Sequence, residues 1–134
     1  MKYLTAVAGS VIVFAALMLV TRVVTEGLFA WMFFGEAGEP AGFSQEAVDY
    51  YRLVYSILGA VMIGWFALVI WVVRGPLASG VAGAWTALVS SIGGWFLIDT
   101  TFSLASGFWE NAVLNLIFLG AFAPGLWPSR PART

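Results

Sequence analysis

Four long apolar stretches, 3–24, 51–73, 81–102 and 108–127, constrain this chain more than any other feature. A helix crosses the hydrocarbon of a bilayer in about 20 apolar residues, and each stretch is close to that length. Polar residues are sparse in them. The first holds Thr5, Ser10, Thr21 and Arg22, and 53–73 holds Ser56 alone. The third holds Thr86, Ser90, Ser91, Asp99, Thr100 and Thr101, and the fourth holds Glu110, Asn111 and Asn115, all in its first half. Of 134 residues 61% are hydrophobic and 10% charged, too few charges to give a water-soluble domain of this size a polar skin. The sequence therefore predicts an all-α membrane protein, a four-transmembrane-helix up-and-down bundle in which 1–134 is a single domain.

The first stretch opens with Lys2 like a secretory signal, but no small-x-small cleavage pattern follows Val20, so it is expected to remain as a helix. Charge sets the orientation. Lys2, Arg74, Arg130 and Arg133 fall on one side of a four-span chain, and Glu26, Glu36, Glu39, Glu46, Asp49, Asp99 and Glu110 fall toward the other. The positive-inside bias then places both termini in the cytoplasm. Arg22 and Arg52 stand near the outer acids, where Arg22–Glu26 (i,i+4) and Asp49–Arg52 (i,i+3) have the spacing of local helical pairs.

The connection 25–44 is expected to be an outer loop of 18–20 residues, an apolar GLFAWMFF piece followed by an acidic, Gly-rich piece in which Pro40 and three glycines break any helix. Ser44 reads as the N-cap of the next helix, with Glu46 and Asp49 near its positive end. That helix, Gln45 to Val73, would be about 43 Å long and project beyond the hydrocarbon. Tyr50, Tyr51 and Tyr55 would form an interfacial girdle, and Trp31, Trp71, Trp109 and Trp127 a belt near the span ends.

Several function classes lack their residues. There is no cysteine and no histidine, which removes disulfides, thiolate chemistry and the commonest metal ligand and general base. Neither a metal nor a cofactor is expected. Lys2 is the sole lysine, so no Schiff base within the membrane is available. A net charge of −1 with dispersed bases argues against a nucleic-acid partner. Of the groups able to serve as a base, only the carboxylates remain, so no enzyme activity is expected.

The sharpest polar feature is a cluster around Asp99. In an antiparallel hairpin turning near Ser106, Asp99 lies between Asn111 and Asn115, with Ser103 one turn away on its own face. A carboxylate at that depth is costly unless paired, and Arg22 or Arg52, with Glu26 nearby, would supply the charge. The cluster reads first as interhelical glue and second as a cavity open to the outer leaflet. A proton relay lacks a second titratable group deeper in the membrane. Small residues form two rows at four-residue spacing, Gly83, Ala87 and Ser91 in the third span and Ala60 and Gly64 in the second, suited to close helix approach within the bundle or between subunits.

Residues 95–119, WFLIDTTFSLASGFWENAVLNLIFL, resemble a segment of small uncharacterised bacterial four-helix inner-membrane proteins. By size and helix number the chain is also similar to DoxX-like membrane proteins, though without cysteine it has no thiol chemistry. The resemblance implies a bacterial inner (plasma) membrane location and carries no activity. The expected function is that of a non-enzymatic membrane subunit or interaction module, whose partners are the lipid bilayer and other subunits or copies of itself. The alternative is a binder or carrier of a lipophilic or small polar ligand around Asp99, Asn111 and Asn115.

Overall fold

The computed structural model of the protein describes residues 1–130. Arg133, counted above among the cytoplasmic bases, lies outside them. The described chain is all-helical: α1 (Lys2–Val20), α2 (Ala30–Phe34), α3 (Gln45–Val72), α4 (Ala84–Ala105) and α5 (Trp109–Leu126). Three helices, α1, α3 with its extension to Leu77, and α4, are long and apolar enough to cross a membrane. The fourth expected span, α5, has 18 residues but opens on Glu110 and Asn111, and it is not among the three.

Local chemistry accounts for the boundaries. Ser44 caps α3, its Oγ accepting the Ala47 amide at 3.2 Å. The first half of the connection expected over 25–44 is helical instead. A π turn, Val23–Phe29, leads directly into α2, and the Gly27 amide bonds back five residues to the Arg22 carbonyl. The apolar piece folds this way because it contains neither proline nor consecutive glycines. Gly35 ends it at φ 83°, its amide bonded to the Trp31 carbonyl, a left-handed cap that glycine adopts without strain. Past α3 the helix widens into a second π turn, Val73–Leu77, around Pro76, which has no amide to donate and whose ring disturbs the preceding turn. Gly83, at φ 85°, is the N-cap of α4, which therefore starts three residues later than the span expected from residue 81.

The chain divides into two compact units, Gly9–Ala67 and Met1–Ala8 with Leu68–Thr134, so that α1 and α3 contribute to both. In the first unit an aromatic cluster joins the π turn and α2 to α3. Phe29 lies 6.1 Å from Phe14, 5.8 Å from Phe33 and 5.0 Å from Tyr55, and Tyr51 lies 4.6 Å from Tyr55. The Tyr51 hydroxyl donates to the Thr25 carbonyl at 2.8 Å. Of the expected tyrosine girdle only Tyr50 is fully exposed, because the other two are drawn into this cluster. Trp31, Trp71, Trp109 and Trp127 are all exposed, as interfacial anchors need to be.

The second unit is built on an antiparallel hairpin of α4 and α5, turned at Gly107 with φ 85°. Ala84, Leu88 and Ile92 of α4 are buried, as are Ala112, Asn115, Phe122 and Leu126 of α5. At the open end the indole of Trp85 donates to the Leu126 carbonyl at 2.8 Å. The start of α1 packs there too: Leu4 is 1% exposed, and the Tyr3 hydroxyl donates to the Ala121 carbonyl at 2.9 Å.

Both small-residue rows, suited to packing within the bundle or between subunits, are exposed in this chain. On α4 the buried face is that of Ala84, Leu88 and Ile92, so Leu88 is core and Gly83, Ala87 and Ser91 are not. On α3 the exposed positions include Ala60 and Gly64, and the glycine in close contact is Gly59. A Cβ there would stand 2.9 Å from the Ala15 carbonyl oxygen of α1. Gly83 is small for its left-handed backbone, not for a helix neighbour, since nothing approaches within 4 Å of where its Cβ would be.

Candidate functional site

The expected polar residues form two sets, one within each unit. In the second unit Asp99, Ser103 and Asn111 come together at the upper part of the α4–α5 hairpin. Ser103 is one turn after Asp99, and its hydroxyl donates to the Asp99 carbonyl at 2.7 Å, the local bond serine readily makes in a helix. From α5 the Asn111 amide donates to Asp99 Oδ1 at 3.1 Å and to Ser103 Oγ at 2.8 Å. Asn115, only 2% exposed, donates to the Thr100 hydroxyl at 3.2 Å instead of reaching Asp99. Thr100 was not among the expected site residues; its place one position after Asp99, facing the other asparagine of the i,i+4 pair, is the signal that could have shown it.

Chemically this is a chain of amide and hydroxyl donors ending on a carboxylate. It satisfies Asp99 without neutralising it. Arg22 and Arg52, expected as its charge partners, belong to the other unit, where both hold carboxylates.

In the first unit Arg52 is the centre of a three-carboxylate clasp. Its Nε donates to Glu26 Oε1 at 2.8 Å, Nη2 to Glu39 Oε1 at 2.6 Å and Nη1 to Asp49 Oδ1 at 3.3 Å. Charged partners give short, strong bonds, and the fixed fork of a guanidinium presents donors in three directions. Gln45 steadies Asp49 through a 3.0 Å bond, and Arg22 adds a 3.8 Å contact to Glu26. The side chain of Glu26 is 14% exposed and that of Arg52 24%, so the Glu26–Arg52 bond is the protected part of the clasp. The other two carboxylates are half-exposed or more.

The two local pairs, Arg22–Glu26 and Asp49–Arg52, have the spacing read from the sequence, whereas the bonds from Arg52 to Glu26 and Glu39 span 26 and 13 residues and depend on the fold. A signal for them existed. Five of the seven acids lie between residues 26 and 49, and Arg52 is the only base between Arg22 and Arg74. The clasp ties the loop after α2 onto the start of α3, helped by a bond from the Gly38 amide to the Glu26 carbonyl.

The Ser103 hydroxyl also stands 3.3 Å from Asp99 Oδ1, a hydroxyl beside a carboxylate. Among the described residues no group of three or more acidic side chains is arranged to hold a metal ion. Compared with known proteins, the chain matches no family model, no curated protein and no solved structure.

Proposed function

We propose that this chain is a non-enzymatic integral membrane protein that crosses a bacterial plasma membrane four times, with both termini in the cytoplasm, and serves as an interaction module for other membrane subunits or further copies of itself. One observation carries the reading. The long helices leave large apolar side chains exposed around much of their circumference, including Leu53, Ile57, Val61 and Leu68 of α3, Leu97 and Ile98 of α4, and Leu116 and Ile117 of α5. Such a surface needs lipid or another protein against it.

The polar groups support the same reading, because the most reactive of them are spent on one another: Arg52 on three carboxylates, Asn111 on Asp99 and Ser103. Exposed small residues at Ala60 and Gly64, and at Ala87 and Ser91, suit close approach by a neighbouring helix in lipid. As the fourth span, α5 with its 18 residues would measure about 27 Å, near the hydrocarbon thickness, with Glu110 and Asn111 at the outer interface.

The test is native mass spectrometry after mild-detergent extraction, paired with alkaline carbonate washing of membranes. A chain that resists the wash and travels with a partner, or as a homo-oligomer, supports the proposal. A chain released by carbonate, or one strictly monomeric and partnerless after cross-linking in membranes, refutes it. A label at Gly38 should react from outside the cell and a tag beside Lys2 only from within. The alternative of a ligand held around Asp99 has less support, since Asn111 and Asn115 already have protein partners.

A further inference from the structure

We propose that the cleft between Lys2 and Arg74 binds the phosphodiester headgroup of an anionic phospholipid. The cleft has a volume of about 450 Å³ and is open to the outside, with Lys2, Thr5 and Ala6 on one wall and Arg74 and Ala78 on the other. All of its lining belongs to the second unit. Lys2 stands in the first turn of α1, and Arg74 projects from the π turn that Pro76 imposes, where its neighbour Val73 is buried.

Charge selects an anion. No carboxylate pairs with Lys2 or Arg74 among the described residues, in contrast to Arg22 and Arg52. The acids of this unit, Asp99 and Glu110, flank the Gly107 turn, whereas the start of α1 packs at the opposite, open end of the hairpin. A third cation, Arg130, sits at that open end over the Trp85 ring, 5.6 Å from its centroid. Facing a phosphate, the arginine supplies a planar pair of donors and the lysine a compact charge.

The walls select a lipid over a free ion. Met1, Ala6 and Ala78 present mostly apolar surface beside the two cations, which matches a phosphate joined to acyl chains better than a fully hydrated oxyanion. Basic pockets at the cytoplasmic ends of membrane helices recognise anionic headgroups in this way. The inference rests on the membrane placement proposed above.

The test uses the full chain with a C-terminal tag, reconstituted in nanodiscs of phosphatidylglycerol and phosphatidylcholine, with retained lipid counted by native mass spectrometry. Wild type should retain phosphatidylglycerol in preference to phosphatidylcholine, and each of Lys2→Gln and Arg74→Gln should reduce that preference about fivefold. Ala78→Trp, which fills the exposed cleft without changing charge, should reduce it as well. Arg130→Gln, at the same end but outside the lining, should leave it nearly unchanged. Equal losses for Arg130→Gln and Arg74→Gln, or no effect of Ala78→Trp, would mean diffuse attraction to a basic surface and overturn the site. Displacement of the lipid by millimolar inorganic phosphate would overturn it in favour of a free-oxyanion site. A protein that stays membrane-embedded but shows no lipid preference refutes this inference alone, whereas release by carbonate refutes the membrane placement with it.

Discussion

Gly59 and Gly64 lie five residues apart on α3, and the structure assigns them opposite sensitivities. At Gly59 a Cβ would be 2.9 Å from the Ala15 carbonyl oxygen, 3.3 Å from Leu19 Cγ and 3.4 Å from Met18 Cβ. The nearest of these is backbone, which no rotamer change can move aside, so α1 and α3 must part. Overpacking of this kind costs about 1–3 kcal/mol. At Gly64 nothing lies within 4 Å. Replacing either glycine by alanine also adds helix propensity, worth up to about 1 kcal/mol, but that gain is common to both and cancels in the comparison. Gly59→Ala should therefore be less stable than Gly64→Ala by about 1–3 kcal/mol. Gly64→Ala itself should equal or exceed wild type. The assay is reversible unfolding in mixed micelles by titration with dodecyl sulfate, followed by far-ultraviolet circular dichroism. Equal midpoints for the two variants, or a more stable Gly59→Ala, would refute the packing of α1 on α3 at this point.

Arg52→Gln should release the clasp and cost about 1–3 kcal/mol, since it strands the largely buried Glu26. Proteolysis within 35–43 should accelerate, and adding Glu26→Gln should recover part of the stability; unchanged cleavage would count against the clasp. Asp99→Asn keeps an acceptor for the Asn111 amide, while Asp99→Leu removes it, so the leucine variant should lose about 1–3 kcal/mol more in the same micelle titration. Equal losses would show that the hydrogen bond carries no stability. Gly83→Val forces a branched residue to φ 85° and should cost more than Gly83→Asn, which tolerates that region. A valine variant as stable as wild type would remove the left-handed N-cap.

Much of the secondary structure is legible in the sequence. The apolar runs marked α1, α3, α4 and α5 to within a few residues at most ends, because a long apolar run has few alternatives to a helix, even with Pro124 inside the last. Ser44 marked the start of α3 because its hydroxyl serves an amide that no helical carbonyl can reach. The π turns were not legible. They depend on how Pro76, and the chain after Arg22, redistribute backbone bonds among competing registers.

The sequence by itself determined that the chain is helical, with runs long and apolar enough for a bilayer, and that Asp99 shares a hairpin with Asn111; it marked four such runs, of which three form helices of that length and composition. Each follows from composition or from spacing along one or two consecutive helices. Only the tertiary structure decided which face of each helix packs, that Gly59 and not Gly64 meets α1, that Leu88 is core, and that Arg52 answers Glu26 and Glu39. The physical reason is common to these cases. In a soluble helix, polarity separates the buried stripe from the exposed one, but here both faces are apolar and the pattern that would mark the core is missing. Charge partners suffer the same ambiguity, because an arginine with several donors takes whichever carboxylates the folded loop delivers, and 13 or 26 residues of intervening chain leave that choice to the fold.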